Sequence, residues 1–169
     1  MKSFLLEVLE CDNIIGSLVS EACTLDGRDR KGICFSALGA TEPSAINVFC
    51  IGDIQNSEDL KRFANSAISK AIRLREGLRV DHHRISGWED RDDKSEPKRY
   101  GGAVCNIHGD IVSVAGLSEY YDESIAAAIL RVTDYNSMPN HLLRRIANVS
   151  DNPYIIEFVQ QWCPNRLVV

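Results

Sequence analysis

The side chains best equipped for chemistry gather between residues 81 and 123. His82 and His83 follow Asp81, and a neutral imidazole oriented by a neighbouring carboxylate is a common metal ligand. On a strand the two rings would point to opposite faces, so one at most faces a given pocket. The plain alternative is a polar strand end at the surface. Tyr100, Tyr120 and Tyr121 offer aromatic faces that stack on planar rings and phenols that can bind ferric iron; ordinary core and rim packing competes with that reading. Gly101-Gly102 can let a ligand approach the backbone, or can simply kink the start of a strand. His108 and His141 read as a turn residue and an exposed helix residue. Asp122 and Glu123 can act as a general base pair, but at a helix start they also complement the dipole.

Nucleophilic catalysis finds little support. No Gly-x-Ser-x-Gly elbow is present. Cys105 lies near His108, yet in an apolar strand burial would raise its pKa. The acidic run from Glu89 to Asp93 lacks the ligand spacing of a calcium-binding hand.

These residues sit on a legible order of elements. Apolar positions from Phe4 to Ala22 recur at helical spacing and predict one amphipathic helix over residues 3–23. Residues 32–38 and 45–51 are strand-like, and the Gly- and Pro-containing residues 39–44 predict a hairpin. Residues 57–76 form the clearest helix. Ser57 is placed to cap it, Leu60, Phe63, Ala64, Ala67, Ile68, Ala71 and Ile72 share a face, and Gly77 ends it. A short strand is expected at 78–85. Residues 87–99, with five acids and four bases, read as a solvated loop. Strands at 101–107 and 110–115 flank a His108-Gly109 turn, and Ser118 is set to cap an alanine-rich helix. Hairpin-then-helix thus occurs twice, at 32–76 and 101–134. Beyond it lie two short helices, 139–148 and 153–162. Asp151 is placed to cap the second and Pro164 to stop it.

Composition narrows the function classes. A chain of 169 residues buries enough surface to fold without disulfides or metals. A net charge of −5 argues against nucleic acid as a partner. Glu7, Glu10 and Asp12 interrupt the N-terminal apolar run, so a signal peptide is not expected. No run approaches the roughly 18 apolar residues that cross a bilayer. Cys11, Cys23, Cys34, Cys50, Cys105 and Cys163 form no Cys-x-x-Cys pair and are expected reduced in the cytoplasm, with Cys34, Cys50 and Cys105 acting as small hydrophobes in strands.

The segment from Tyr100 to Leu130 carries a resemblance. Gly101-Gly102, the turn glycine Gly109, and Ala115-Gly116-Leu117-Ser118 followed by Asp122-Glu123 and Ala126 resemble the GlcG/HbpS-like family of haem-binding or haem-degrading proteins. The strong part covers about 30 residues, the order of elements about 130. Val104 stands where the family has proline, and Glu119 and Tyr120 replace its glycines.

The expected fold is α/β (α+β): a four- to five-stranded antiparallel sheet flanked by helices. The resemblance implies profilin-like connectivity for residues 1–135, with a helical C-terminal extension over 136–169 packed on it. It also implies a non-catalytic protein that binds or senses a small ligand, with haem or another tetrapyrrole as cofactor. The residues expected at the site are His82, His83, Tyr100, Gly101, Gly102, Gly116, Ser118 and Tyr120. The alternative is an interaction or dimerisation module without a small ligand; a weaker one is a small-molecule enzyme. Partners are expected to be a small organic ligand and further copies of the chain, with no nucleic acid and no membrane.

Overall fold

A computed structural model describes residues 3–42 and 45–162. Pro43 and Ser44 of the expected turn, Cys163, and the helix stop at Pro164 lie outside the described residues.

The elements run α1 (Phe4–Glu10), α2 (Asp12–Asp26), β1 (Lys31–Leu38), β2 (Asn47–Asp53), α3 (Ser57–Val80), β3 (Ala103–Cys105), β4 (Ile111–Ala115), α4 (Glu119–Thr133), α5 (Asn140–Ser150) and α6 (Ile155–Trp162). The sheet is antiparallel throughout, in the order β2-β1-β4-β3. This is the α+β fold expected, a four-stranded antiparallel sheet flanked by helices.

Strand alternation assigns each face. Ile33, Phe35, Ala37, Val104, Val112 and Val114 point into a large core shared with α1, α2 and α4. Cys34, Leu38, Ala103, Cys105, Ile111 and Ala115 point the other way, onto α3. Both faces are therefore covered. The hairpin-then-helix repeat holds along the chain but not in space. The central strands are β1 and β4, the first of one hairpin and the second of the other, and the two helices lie on opposite faces.

One polar seam interrupts the α3 face. Ser36 and Ser113 are register partners on β1 and β4, and both are fully buried. The Ser113 hydroxyl donates to the Ala67 carbonyl of α3. Ser36 Oγ lies 2.8 Å from Ser113 Oγ and 3.3 Å from the same carbonyl.

Several boundaries differ from expectation. The first helix is two, broken at Cys11, whose thiol donates to the Val132 carbonyl of α4. Asn56, not Ser57, caps α3 by accepting from the Asp59 amide at 2.7 Å. The expected strand at 78–85 does not form. Helix α3 continues through Gly77 to Val80, and the Arg84 side chain folds into the space a Cβ at Gly77 would need. The buried stripe of α3 is Phe63, Ala67, Lys70, Ala71 and Leu74, while Leu60 is exposed. Residues 87–99 are not simply a solvated loop. Residues Gly87–Asp90 form a 3-10 turn, Arg73 Nε reaches Asp90 Oδ1 at 3.0 Å, and Asp92 and Arg99 exchange backbone hydrogen bonds.

Helix α4 is buried on every side from Asp122 to Arg131, as a helix enclosed by a sheet and other helices must be. Met138, Ile146, Ile155, Phe158 and Val159 join the same core as Phe35 and Ile125, so the C-terminal helices share the main core. Arg131 is 1% exposed and donates to the Met138 carbonyl and to Asn140 Oδ1. Asp151 does not cap α6; it ends α5 in a left-handed conformation, and Asn152 Oδ1 takes the Tyr154 amide at 3.0 Å.

Candidate functional site

Helix α3 lies on one face of the sheet and α4 on the other, yet they meet through an ion pair. Lys70 Nζ lies 2.9 Å from Asp122 Oδ2 and donates to the Val114 carbonyl at 2.8 Å. Asp122 Oδ1 accepts the Leu117 amide at 3.0 Å. Lys70 and Asp122 are 4% and 2% exposed, so the charges are almost wholly removed from water. Burial pushes the Asp122 carboxyl up to about 6, against the pull of Lys70 and the Leu117 amide.

Gly102 makes this crossing possible. A Cβ there would lie 2.8 Å from Asp122 Cβ and 2.9 Å from Lys70 Nζ, and its φ of +104° is one that side-chain-bearing residues rarely adopt. Gly101 has a parallel role: its Cβ would strike the Trp88 indole, and its amide donates to Glu119 Oε2 at 3.0 Å. The glycine pair therefore admits protein side chains to the backbone.

Above the ion pair opens a cleft of about 710 Å³. Arg28, Arg30, Arg62, Lys70 and Arg91 line it, against the carboxylates of Glu119 and Asp122. Phe63, Trp88, Tyr100 and Tyr120 contribute aromatic rings, and Gly116 to Ser118 form its hinge side. A cationic concentration of this kind stands out in a chain of net charge −5. Most of these cations are engaged. Arg91 is bidentate on Glu119 at 2.7 and 3.0 Å, Arg62 pairs with Asp59, and Arg28 lies 3.7 Å from Asp26. Burial works against the Glu119 charge, but Arg91 and the Gly101 amide outweigh it and hold the carboxyl low. Arg30 differs: it lies over the Phe63 ring at 5.0 Å and has no acidic partner among the described residues. On the opposite wall Tyr120 stacks on Trp88, with centroids 5.2 Å apart, and the Arg91 guanidinium also lies over that indole.

The cleft gathers Tyr100, Gly116, Ser118 and Tyr120 of the expected residues. Gly101 and Gly102 lie beneath its lining. His82 and His83 are not brought to it. They are exposed in the turn that follows α3, where the His83 amide is taken by Asp81 and its carbonyl by Arg145. Ser118 occupies the cap position of α4 without capping it through its hydroxyl, and its amide donates to Asp26 Oδ1 at 2.9 Å. Among the described residues no cluster of three or more His, Cys, Asp or Glu is placed to hold a metal ion.

Composition and spacing did not single out Lys70, Arg30, Arg62, Arg91 or Trp88 as site residues. Lys70 had a signal: it sits three residues after Ala67, on the apolar stripe of α3. The arginines come from three separate segments and share no pattern in the chain.

Glu123 points inward beside this site. It is fully buried and accepts from Ser86 Oγ at 2.6 Å and Asn152 Nδ2 at 3.0 Å, tying α4 to the C-terminal helices. Burial raises its pKa, with Ser150, Ser86 and Asn152 opposing the rise. Folding thus favours its neutral form. Its contribution to stability is complete below the unfolded pKa of about 4.3 and is lost as pH rises through the folded value. Urea unfolding of Glu123→Gln at several pH values is expected to lack that declining segment. A variant whose pH profile parallels the wild type would refute this account.

No family model matches this chain. Nor does any curated protein or solved structure. Among the described residues no helix is long and apolar enough to cross a membrane.

Proposed function

We propose that this chain is a non-catalytic binding or sensing protein for a small organic anion, with the cleft above Lys70 and Asp122 as its site. The observation that carries the reading is Arg30, a cation without an acidic partner among the described residues, which lines an aromatic-walled cleft with Arg28 and Arg62. A ligand carboxylate or phosphate would supply the missing partner through charge-assisted hydrogen bonds. Haem, a planar ring bearing two propionates, belongs to this class and is the member the sequence resemblance points to. In this cleft a phenol of Tyr100 or Tyr120, rather than His82 or His83, would face the iron.

Hemin titration followed at the Soret band tests the reading, with inorganic pyrophosphate as a competitor. Arg30→Ala/Arg62→Ala is expected to weaken binding at least tenfold, the loss of one or two charged hydrogen bonds. His82→Ala/His83→Ala is expected to leave it unchanged. Binding no stronger than to an unrelated acidic protein, or unaffected by loss of both arginines, would refute the proposal.

A second reading rests on Leu6, Leu9, Ile14 and Leu25, which are each about half exposed along α1 and α2. We propose self-association through that surface as the alternative role, and light scattering of the full chain against Leu6→Glu/Leu9→Glu distinguishes the two.

A further inference from the structure

Cys34 and Cys50 are directly opposite in the β1–β2 register, and their Sγ atoms are 2.7 Å apart. Unbonded sulfur atoms do not normally sit so close. Directly opposite residues of antiparallel strands have Cα atoms about 4.5 or 5.5 Å apart. Both values fall inside the roughly 4.4–6.8 Å that a disulfide spans. Opposite positions also send their side chains to the same face, here the α3 side. Cys34, on a central strand, is fully buried, whereas Cys50, on the edge strand, is exposed. Cys50 therefore does not behave as the small buried hydrophobe that its apolar strand suggested.

We propose that Cys34 and Cys50 are a redox-active dithiol that closes to a cross-strand disulfide in the presence of a small disulfide such as glutathione disulfide. The accessible Cys50 thiolate attacks one sulfur of glutathione disulfide. A Cys50–glutathione bond forms and one glutathione thiolate leaves. Cys34 then loses its proton to solvent and attacks Cys50 Sγ. The Cys34–Cys50 bond forms, the mixed disulfide breaks and a second glutathione leaves. The two cysteines are oxidised by two electrons, one glutathione disulfide is reduced, and the two protons end on the two glutathiones. Burial, with the neighbouring Cys50 sulfur, pushes the Cys34 thiol up to about 12. The closing step therefore runs through a small thiolate fraction, and its rate rises about tenfold per pH unit.

The test incubates the full chain with glutathione disulfide, quenches with iodoacetamide and maps peptides by mass. The expected product is a Cys34–Cys50 linked peptide pair with a mass loss of about 2 Da, reversed by dithiothreitol. Cys50→Ser, an exposed change, is expected to abolish the link and leave Cys34 reduced. A Cys34→Ala variant is expected to stop at the Cys50–glutathione adduct. Accumulation of that adduct in the wild-type chain with Cys34 still free, or no reaction at Cys50, would overturn the proposal. Neither outcome bears on anion binding in the cleft, which these residues do not line.

Discussion

Lys70→Ala is expected to cost the fold about 3–5 kcal/mol, because it strands a buried carboxylate. In a chain of this size each kcal/mol corresponds to about 2–4 °C of melting temperature, so a fall on the order of 10 °C should be seen. The loss should also depend on pH, with a definite sign. Burial already raises Asp122 to about 6 with Lys70 in place, and removing the cation raises it further. A raised carboxyl stabilises the fold fully below its unfolded pKa of about 3.9 and loses that contribution as pH climbs through the folded value. The deficit of Lys70→Ala should thus be smallest near pH 5 and largest above neutrality. Lys70→Met/Asp122→Asn removes both charges while keeping an acceptor for the Leu117 amide, and should regain most of the loss. Urea unfolding of the three proteins at two pH values checks this. A cost below about 1 kcal/mol, the range of a solvated surface pair, would show that the pair is hydrated.

Gly102→Ala is the second large effect. The new Cβ must enter space held by Asp122 Cβ and Lys70 Nζ at 2.8 and 2.9 Å, and alanine must adopt a φ of +104°. Strained backbone of this kind costs about 1–3 kcal/mol, and overpacking adds a similar amount. Gly16→Ala is the matched control. Gly16 lies inside α2 with nothing within 4 Å of its missing Cβ, so alanine should stabilise by about 0.5–1 kcal/mol. Thermal melts of both variants should move in opposite directions. A Gly102→Ala protein as stable as the wild type would show that the ion pair can yield without cost.

Strand periodicity and turn glycines located both hairpins, because alternation and positive φ are local properties. Gly109 does take φ +88° in its turn. An antiparallel sheet of four to five strands followed from that; it forms with four, since the strand expected at 78–85 does not. Long-range choices were not visible. Nothing local says that β1 pairs with β4, or that α3 and α4 cover opposite faces. Gly77 looked like a helix end, since the side chain of Arg84 that accompanies its continuation lies seven residues away. The cleft was half legible: its hinge carries a recognisable glycine pattern, whereas its cations arrive separately from the α2–β1 loop, α3 and the turn after Asp90. His82 and His83 attracted attention by chemical type, and residue type says nothing about which way a turn faces.

A helix resting on a purely apolar sheet keeps its register by the interlocking of side chains alone. The hydroxyls of Ser36 and Ser113 gathered at the Ala67 carbonyl add direction-specific bonds to that register, like a key seated in a shaft. With Ala67 indexed against the two central strands, Lys70 one turn further on arrives at the level of Val114 and Asp122. Sliding α3 by a single residue would displace the ammonium by about 1.5 Å and turn it away from both acceptors.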